Sequence, residues 1–211
     1  RESEAWGDKG TYFHVLCGSQ LIVDNLLDLS HLAYVHQSTL GNAAVAENAD
    51  SRVFRDDNSV TVARWTVGQN PPPTYQKAGG FAPDQKVDRW QIIEYRPPGF
   101  VRLFTGAAPG AAQGKEFGWR ELDHETPEGG IGLRNLNAVT PETETTCHYF
   151  WSQCQDVQPR SAEFTDALYG ATHTAFHQDW EVFELQQANW DYEPVVDINV
   201  ESGRGYFPAT V

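Results

Sequence analysis

An amide, a carboxylate and two imidazoles fall within the twelve residues from Asn25 to His36, spaced N-x2-D-x2-H-x4-H. The residues between them are mostly Leu, Ala, Tyr and Val, so polar groups are threaded through an apolar stretch. Burying such groups bare costs roughly 2–7 kcal/mol each, so they must pair with one another or hold something. Two neutral imidazoles beside a carboxylate suit a metal ion, iron or zinc. Two His and one carboxylate on one face of Fe(II) leave the remaining positions open for small molecules such as dioxygen or water.

Residues five apart are rotated by about 140° on a regular helix, so His31 and His36 cannot share one face of it. The helix has to widen into a π-turn, or end near Val35, for both rings to converge. The carboxylate should come from elsewhere. A helical stretch from Arg160 to Ala188 offers Asp179, three residues after Phe176 and four before Phe183, on the same face as both. An unpaired charge on that apolar stripe would be expensive. Asp166, Glu181 and Glu184 are less well placed or equally suited to facing solvent. His173 and His177, four apart on the same helix, compete as a ligand pair, and a solvated-face or pocket-lining role is preferred for them. His148 precedes Tyr149-Phe150-Trp151 and is a candidate for lining a substrate pocket. His14 and His124 carry no pattern.

The elements that would hold these residues read as α+β. Thr11 to Gly18 is a short strand, and Leu21 to about Tyr34 is a helix by its apolar spacing, with Gly41-Asn42 a turn after it. Arg52–Phe54 and Val60–Val67 flank Asp56-Asp57-Asn58, a hairpin signal. Gln69 to Pro83, with four prolines and Gly79-Gly80, reads as a long irregular loop. Val87–Tyr95, Phe100–Gly106, Phe117–Asp123, Ile131–Val139 and Thr145–Gln153 are further strands. Pro159 sits where the long helix could begin, and a surface tail follows Pro194. The expected architecture is a curved antiparallel sheet of about seven strands gripping one long C-terminal helix, a helix-grip fold in a single domain over residues 1–211.

The bulk composition narrows the function. A formal charge of −14 over 211 residues repels phosphate backbones, which argues against nucleic acid. No apolar run reaches eighteen residues, so no membrane partner is expected. Three cysteines, Cys17, Cys147 and Cys154, with no CxxC pair, fit a reducing cytoplasmic setting.

The run Leu21-Ile22-Val23-Asp24-Asn25-Leu26-Leu27-Asp28-Leu29-Ser30-His31, followed by Tyr34-Val35-His36, resembles the iron-binding signature of Rieske non-haem iron oxygenase α-subunits, in the vanillate O-demethylase and dicamba monooxygenase group. Val139-Thr140-Pro141-Glu142-Thr143, His148-Tyr149-Phe150-Trp151, and Asp179 followed by Glu184, Gln186 and Gln187 extend the likeness from about residue 11 to 190. The resemblance implies that His31, His36 and Asp179 ligate a mononuclear Fe(II). It implies that Asp28 bridges electrons from the Rieske cluster of a neighbouring subunit, and that Asn25 lies close to the iron. A Rieske cluster needs C-x-H and C-x2-C-x-H ligands, and neither pattern occurs in these residues. The expectation is therefore a catalytic domain alone, with no [2Fe-2S] cluster and no N-terminal Rieske domain, inactive in reductase-driven turnover.

By this resemblance the chain hydroxylates or O-demethylates a methoxylated aromatic acid with O2, in aromatic catabolism. Its partners would be a Rieske domain with its reductase and, as a homotrimer, two further copies. Methyl hydroxylation of an arylsulfonate and ring dihydroxylation are variants within the family. The alternative from another class is a non-catalytic helix-grip domain that holds a hydrophobic small molecule. A third, a zinc hydrolase built on His173 and His177, lacks an HExxH motif.

Overall fold

The computed structural model describes residues 4–36, 49–110 and 126–190. Seven strands form one sheet: β1 (Gly7–Val15), β2 (Ala49–Arg55), β3 (Val60–Gln69), β4 (Val87–Arg96), β5 (Phe100–Ala108), β6 (Ile131–Pro141) and β7 (Cys147–Gln155). Their order is β1-β7-β6-β5-β4-β3-β2, and every pairing is antiparallel. Among the described residues, the helices are α1 (Ser19–Leu27), the single turn α2 (Leu32–Val35), α3 (Pro73–Gly79) and α4 (Ala162–Asn189). The expected strand at Phe117–Asp123, the Gly41-Asn42 turn, the tail after Pro194 and His124 lie outside the described residues.

Alternation along the strands sorts side chains onto two faces. One face carries Phe13, Val15, Ile93, Tyr95, Val101, Val139, Tyr149 and Trp151, all buried against Ala175, Phe176 and Phe183 of α4 and Ile22, Val23 and Leu26 of α1. A second buried cluster, with Ala63, Trp65, Trp90, Ile92 and Phe104, sits on the other parity of the same strands. Gly106 pairs with Trp90 across β4 and β5, and a Cβ there would come within 2.0 Å of the Trp90 ring. Only glycine lets that indole lie flat against the neighbouring strand.

At 28 residues α4 is about 42 Å long, enough to cross the sheet. Its start lies just past Pro159: Ser161 is the N-cap, its Oγ accepting from the Phe164 backbone N–H at 3.1 Å. The hairpin expected at Asp56-Asp57-Asn58 joins β2 to β3, with the Asp56 carboxylate accepting from the Asn58 amide and the Ser59 hydroxyl.

Two expectations need correction. The stretch Gln69 to Pro83 is not irregular throughout, because α3 spans Pro73–Gly79 and is closed by Gly80 at φ 69°. Proline at the first helical positions gives up an N–H that has no partner there anyway, so the Pro71-Pro72-Pro73 run starts this helix rather than excluding one. The helix expected over Leu21–Tyr34 is interrupted. α1 ends at Leu27, and Asp28 is extended, at φ −82° and ψ 101°. The Asp28 carboxylate accepts from the Ser30 backbone N–H at 2.7 Å, a local turn that competes with helix propagation.

Candidate metal centre

The break at Asp28 solves the rotation problem of the two histidines. His31 sits at the N-terminal cap of α2, and His36 at its C-terminal cap with φ −110° and ψ 28°. The chain ends its turn near Val35, one of the two geometries the spacing allowed, and restarts it at His31 as well. The two rings then meet edge to face, centroids 5.1 Å apart. Asp179, buried on the sheet side of α4, points at both: its Oδ1 lies 3.0 Å from His36 Nε2 and 3.6 Å from His31 Nε2. Among the described residues, these three are the one group of His, Cys and acidic side chains whose donor atoms all fall within 4.8 Å of one another.

The outward nitrogens matter as much. His36 Nδ1 is 3.0 Å from the Gln178 side-chain oxygen, and His31 Nδ1 contacts the Asp28 backbone carbonyl. Both acceptors suit a proton on Nδ1, so each Nε2, turned inward, would serve as a lone-pair donor once a metal displaces the contact with Asp179. That is the arrangement by which metal-binding histidines are oriented, their other N–H given to a carbonyl or carboxylate. The donor set therefore fits a divalent transition metal.

Asn25, on α1, lies beside the centre with its Nδ2 3.5 Å from Asp179 Oδ1, a long and weak contact. Asp28 is half-buried: its carboxylate caps the turn at Ser30 while its carbonyl receives His31. Arg64, buried on β3, donates from Nη1 to the Leu29 carbonyl at 2.7 Å and so anchors the segment between Asp28 and His31 to the sheet. Sequence reading missed Arg64 and Gln178. Gln178 precedes Asp179 in the chain, and its neighbour was the only signal for it.

The remaining candidates lie elsewhere. His148 does not line this cavity: on β7 the residues Cys147, Tyr149 and Trp151 face the core, which turns His148 to the opposite side. There its Nδ1 meets the Tyr12 hydroxyl at 2.9 Å and its Nε2 lies 3.8 Å from Glu142. His148 thus lies outside the cavity that adjoins the three-residue cluster, on the side of the sheet where Tyr12, Thr140 and Phe150 surround it. His173 packs against Phe13, Trp151 and Tyr169, while His177 contacts Trp180 and Glu181. Neither joins the three-residue cluster.

Burial pushes the His31 imidazole below its usual value of 6.5, with the Asp179 charge opposing and His36 adding to the fall. His36 is also pushed down by burial, but its hydrogen bond and charge interaction with Asp179, helped by Gln178, bring it net above 6.5. The signs follow. His36 contributes stability to the metal-free fold that is complete below pH 6.5 and lost as pH rises through its raised value. His31 contributes stability present above pH 6.5 and lost as pH falls through its lowered value. Imidazole titrations followed by NMR on metal-free protein should place the two on opposite sides of 6.5, and coincident midpoints would contradict this electrostatic picture. A second result concerns Gln178. Gln178→Leu removes the acceptor that fixes the His36 tautomer, and should weaken Fe(II) or Zn(II) binding by about 10–100-fold. Competition with a chromophoric chelator measures it, and an unchanged constant would show that His36 needs no such support.

A sequence profile of the vanillate O-demethylase oxygenase C-terminal domain matches residues 15–206. The chain belongs to that family. The resemblance to the catalytic domains of Rieske non-haem iron oxygenase α-subunits is thereby borne out. A vanillate O-demethylase oxygenase subunit from Pseudomonas sp. (strain ATCC 19151) is 32% identical over 209 residues, covering 96% of this chain and 60% of that protein. The iron-sulfur subunit TsaM1 of the toluene-4-sulfonate monooxygenase system of Comamonas testosteroni is 32% identical over 210 residues, covering 96% of this chain and 57% of its own. Dicamba monooxygenase bound to 3,6-dichlorosalicylic acid superposes with a TM-score of 0.77 at 26% identity, covering 99% of this chain and 55% of the other. The same enzyme with non-haem iron and dicamba gives 0.64 at 25% identity, over 99% and 53%. The chain thus spans a little over half the length of each of these relatives. The named relatives are oxygenase subunits or subunits of monooxygenase systems, and the antiparallel sheet with its long C-terminal helix is shared with dicamba monooxygenase. Among the described residues, no helix is long and apolar enough to cross a membrane.

Proposed function

We propose that this chain is the mononuclear-iron catalytic domain of a terminal oxygenase that O-demethylates or hydroxylates a methoxylated aromatic acid. His31, His36 and Asp179 hold the Fe(II). One observation carries the reading: donor atoms from two chain segments more than 140 residues apart (Asp179 Oδ1 and the two Nε2) close on one point, with both Nδ1 groups tied down. Iron bound there supplies the redox chemistry that O2 requires, with coordination positions left open by the three-ligand set.

The protein's own groups do the rest. A cavity lined by Leu26, Leu29, Ile93, Leu103 and Phe176 adjoins the three ligands and gives an aromatic ring an apolar, water-poor seat. Asn25 and Asp179 set the polar edge nearest the methyl group to be attacked. In the overall change the methoxy compound, O2, two electrons and two protons yield the hydroxymethyl ether and water. The hydroxymethyl ether is a hemiacetal and breaks down to the phenol and formaldehyde. The electrons would come from a reductase by way of a Rieske cluster. In a trimer a neighbouring subunit would bring that cluster to Asp28, whose position between α1 and His31 suits a bridge.

The test is anaerobic loading of the purified protein with Fe(II), followed by nitric oxide and EPR. One iron per chain with the spectrum of an open-sited ferrous nitrosyl supports the reading. Protein that binds no iron, or that binds zinc with no site left for nitric oxide, overturns it.

A further inference from the structure

The cavity beside the ligand triad has one cationic side chain in its wall, among the described residues that line it: Arg89 of β4, buried to 3% exposure. Its guanidinium carbon lies 4.7 Å from the centroid of the Tyr75 ring, and Tyr75 in turn donates its hydroxyl to Thr105 at 3.0 Å. Stacking occupies the flat face of the group. Its in-plane N–H fork is the part that matches an acid group, with two parallel donors for a carboxylate or sulfonate. Apart from Asn25, Tyr75 and the triad, the other polar lining groups, Gln91, Thr105, Asn135, Gln153 and Thr172, are neutral amides and hydroxyls. Arg64 lies diagonally across the β3–β4 pair, since Arg64 faces Gln91 and Thr66 faces Arg89. The Arg64 guanidinium is turned to the Leu29 carbonyl and is not part of the cavity wall, so Arg89 is the positive charge presented there, in surroundings where water screens little.

Asp179 is the one carboxylate among the described lining residues, and it is turned toward the histidines. An aromatic anion entering the cavity is therefore drawn to the Arg89 guanidinium, whose paired donors fix the edge of the ring that carries the acid group.

We infer that Arg89 is the specificity-determining residue of this cavity, receiving the acid group of an aromatic carboxylate or sulfonate and turning the far edge of the ring toward His31, His36 and Asp179. The second half of that statement rests on the oxygenase reading above. The first half does not, because it concerns binding alone.

Calorimetric binding to the whole chain tests it, with vanillate, its neutral amide vanillamide, and toluene-4-sulfonate as probes, each with metal-free and with Fe(II)-loaded protein under anaerobic conditions. Vanillate should bind at least about tenfold more tightly than vanillamide, the gain expected of a charge-assisted fork. Arg89→Gln should erase that preference, leaving acid and amide alike, and Arg89→Lys should keep part of it. Tight binding of toluene-4-sulfonate as well assigns the site to acid groups in general, whereas binding of vanillate alone assigns it to the planar carboxylate. Equal affinities for vanillate and vanillamide in the unaltered protein overturn the proposal, as does no binding of either acid, or an acid preference that survives Arg89→Gln. The acid–amide comparison on the unaltered chain decides the matter even where Arg89→Gln fails to fold. An Arg89-dependent preference in a protein that takes up no iron would sink the oxygenase reading alone. Iron at the triad without the preference would sink this one alone.

Discussion

Asp179→Ala should yield a folded protein that no longer retains iron, its Fe(II) affinity lower by more than about a hundredfold, beyond what loss of an outer partner costs a metal site. The carboxylate is 4% exposed and touches both imidazoles, so nothing from solvent replaces it. Folding should survive because the two histidines it leaves behind are neutral and keep their Nδ1 partners, Asp28 and Gln178. The reverse truncation behaves differently. His36→Ala leaves the buried Asp179 charge without its 3.0 Å partner, and breaking a buried pair from one side costs about 3–5 kcal/mol. His31 at 3.6 Å offsets a little of that. The double variant His36→Ala/Asp179→Ala should then be more stable than His36→Ala alone, a coupling that a thermodynamic cycle reads directly. Iron content by chelator assay and urea unfolding in metal-free buffer check both parts. One iron per chain in Asp179→Ala would remove the carboxylate from the centre.

How much of this could be read without coordinates depends on whether the cause was local. The strands at Val60, Val87, Phe100 and Ile131 announce themselves through alternating apolar residues and the turn residues between them. The buried stripe around Asp179 follows from Phe176 and Phe183 at helical spacing. The break at Asp28 did not show, because Leu21 to Ala33 keeps a helical period straight through it. The cause is a carboxylate-to-amide turn at Ser30 together with an arginine from β3 that takes the Leu29 carbonyl. Arg64 lies 35 residues from Leu29, and Gln178 lies 142 residues from His36, so only tertiary docking defines either pair. The side of the sheet on which His148 lies did not show for another reason. Both parities of β7 carry aromatic rings, Tyr149 and Trp151 on one and Phe150 on the other, so aromatic content could not say which face was the core.

Trp151→Ala should cost about 3–5 kcal/mol, the usual range for truncating a large buried aromatic. The indole is 3% exposed and joins three elements: it stacks on Tyr169 at 5.3 Å, meets Phe176 edge-on at 4.9 Å, and faces Phe13 of β1 at 6.2 Å. Its loss opens a void between β7 and α4 that the paired strands on either side hinder from closing. The effect reaches the metal centre through one turn of helix, since Phe176 stands three residues before Asp179 and fixes how α4 presents that carboxylate. Urea unfolding should show a lower midpoint with an unchanged slope, and Fe(II) affinity at low urea should fall by less than in Asp179→Ala. A full loss of stability with iron affinity untouched would mean that Asp179 is held by the histidines themselves rather than by the packing of α4 on the sheet.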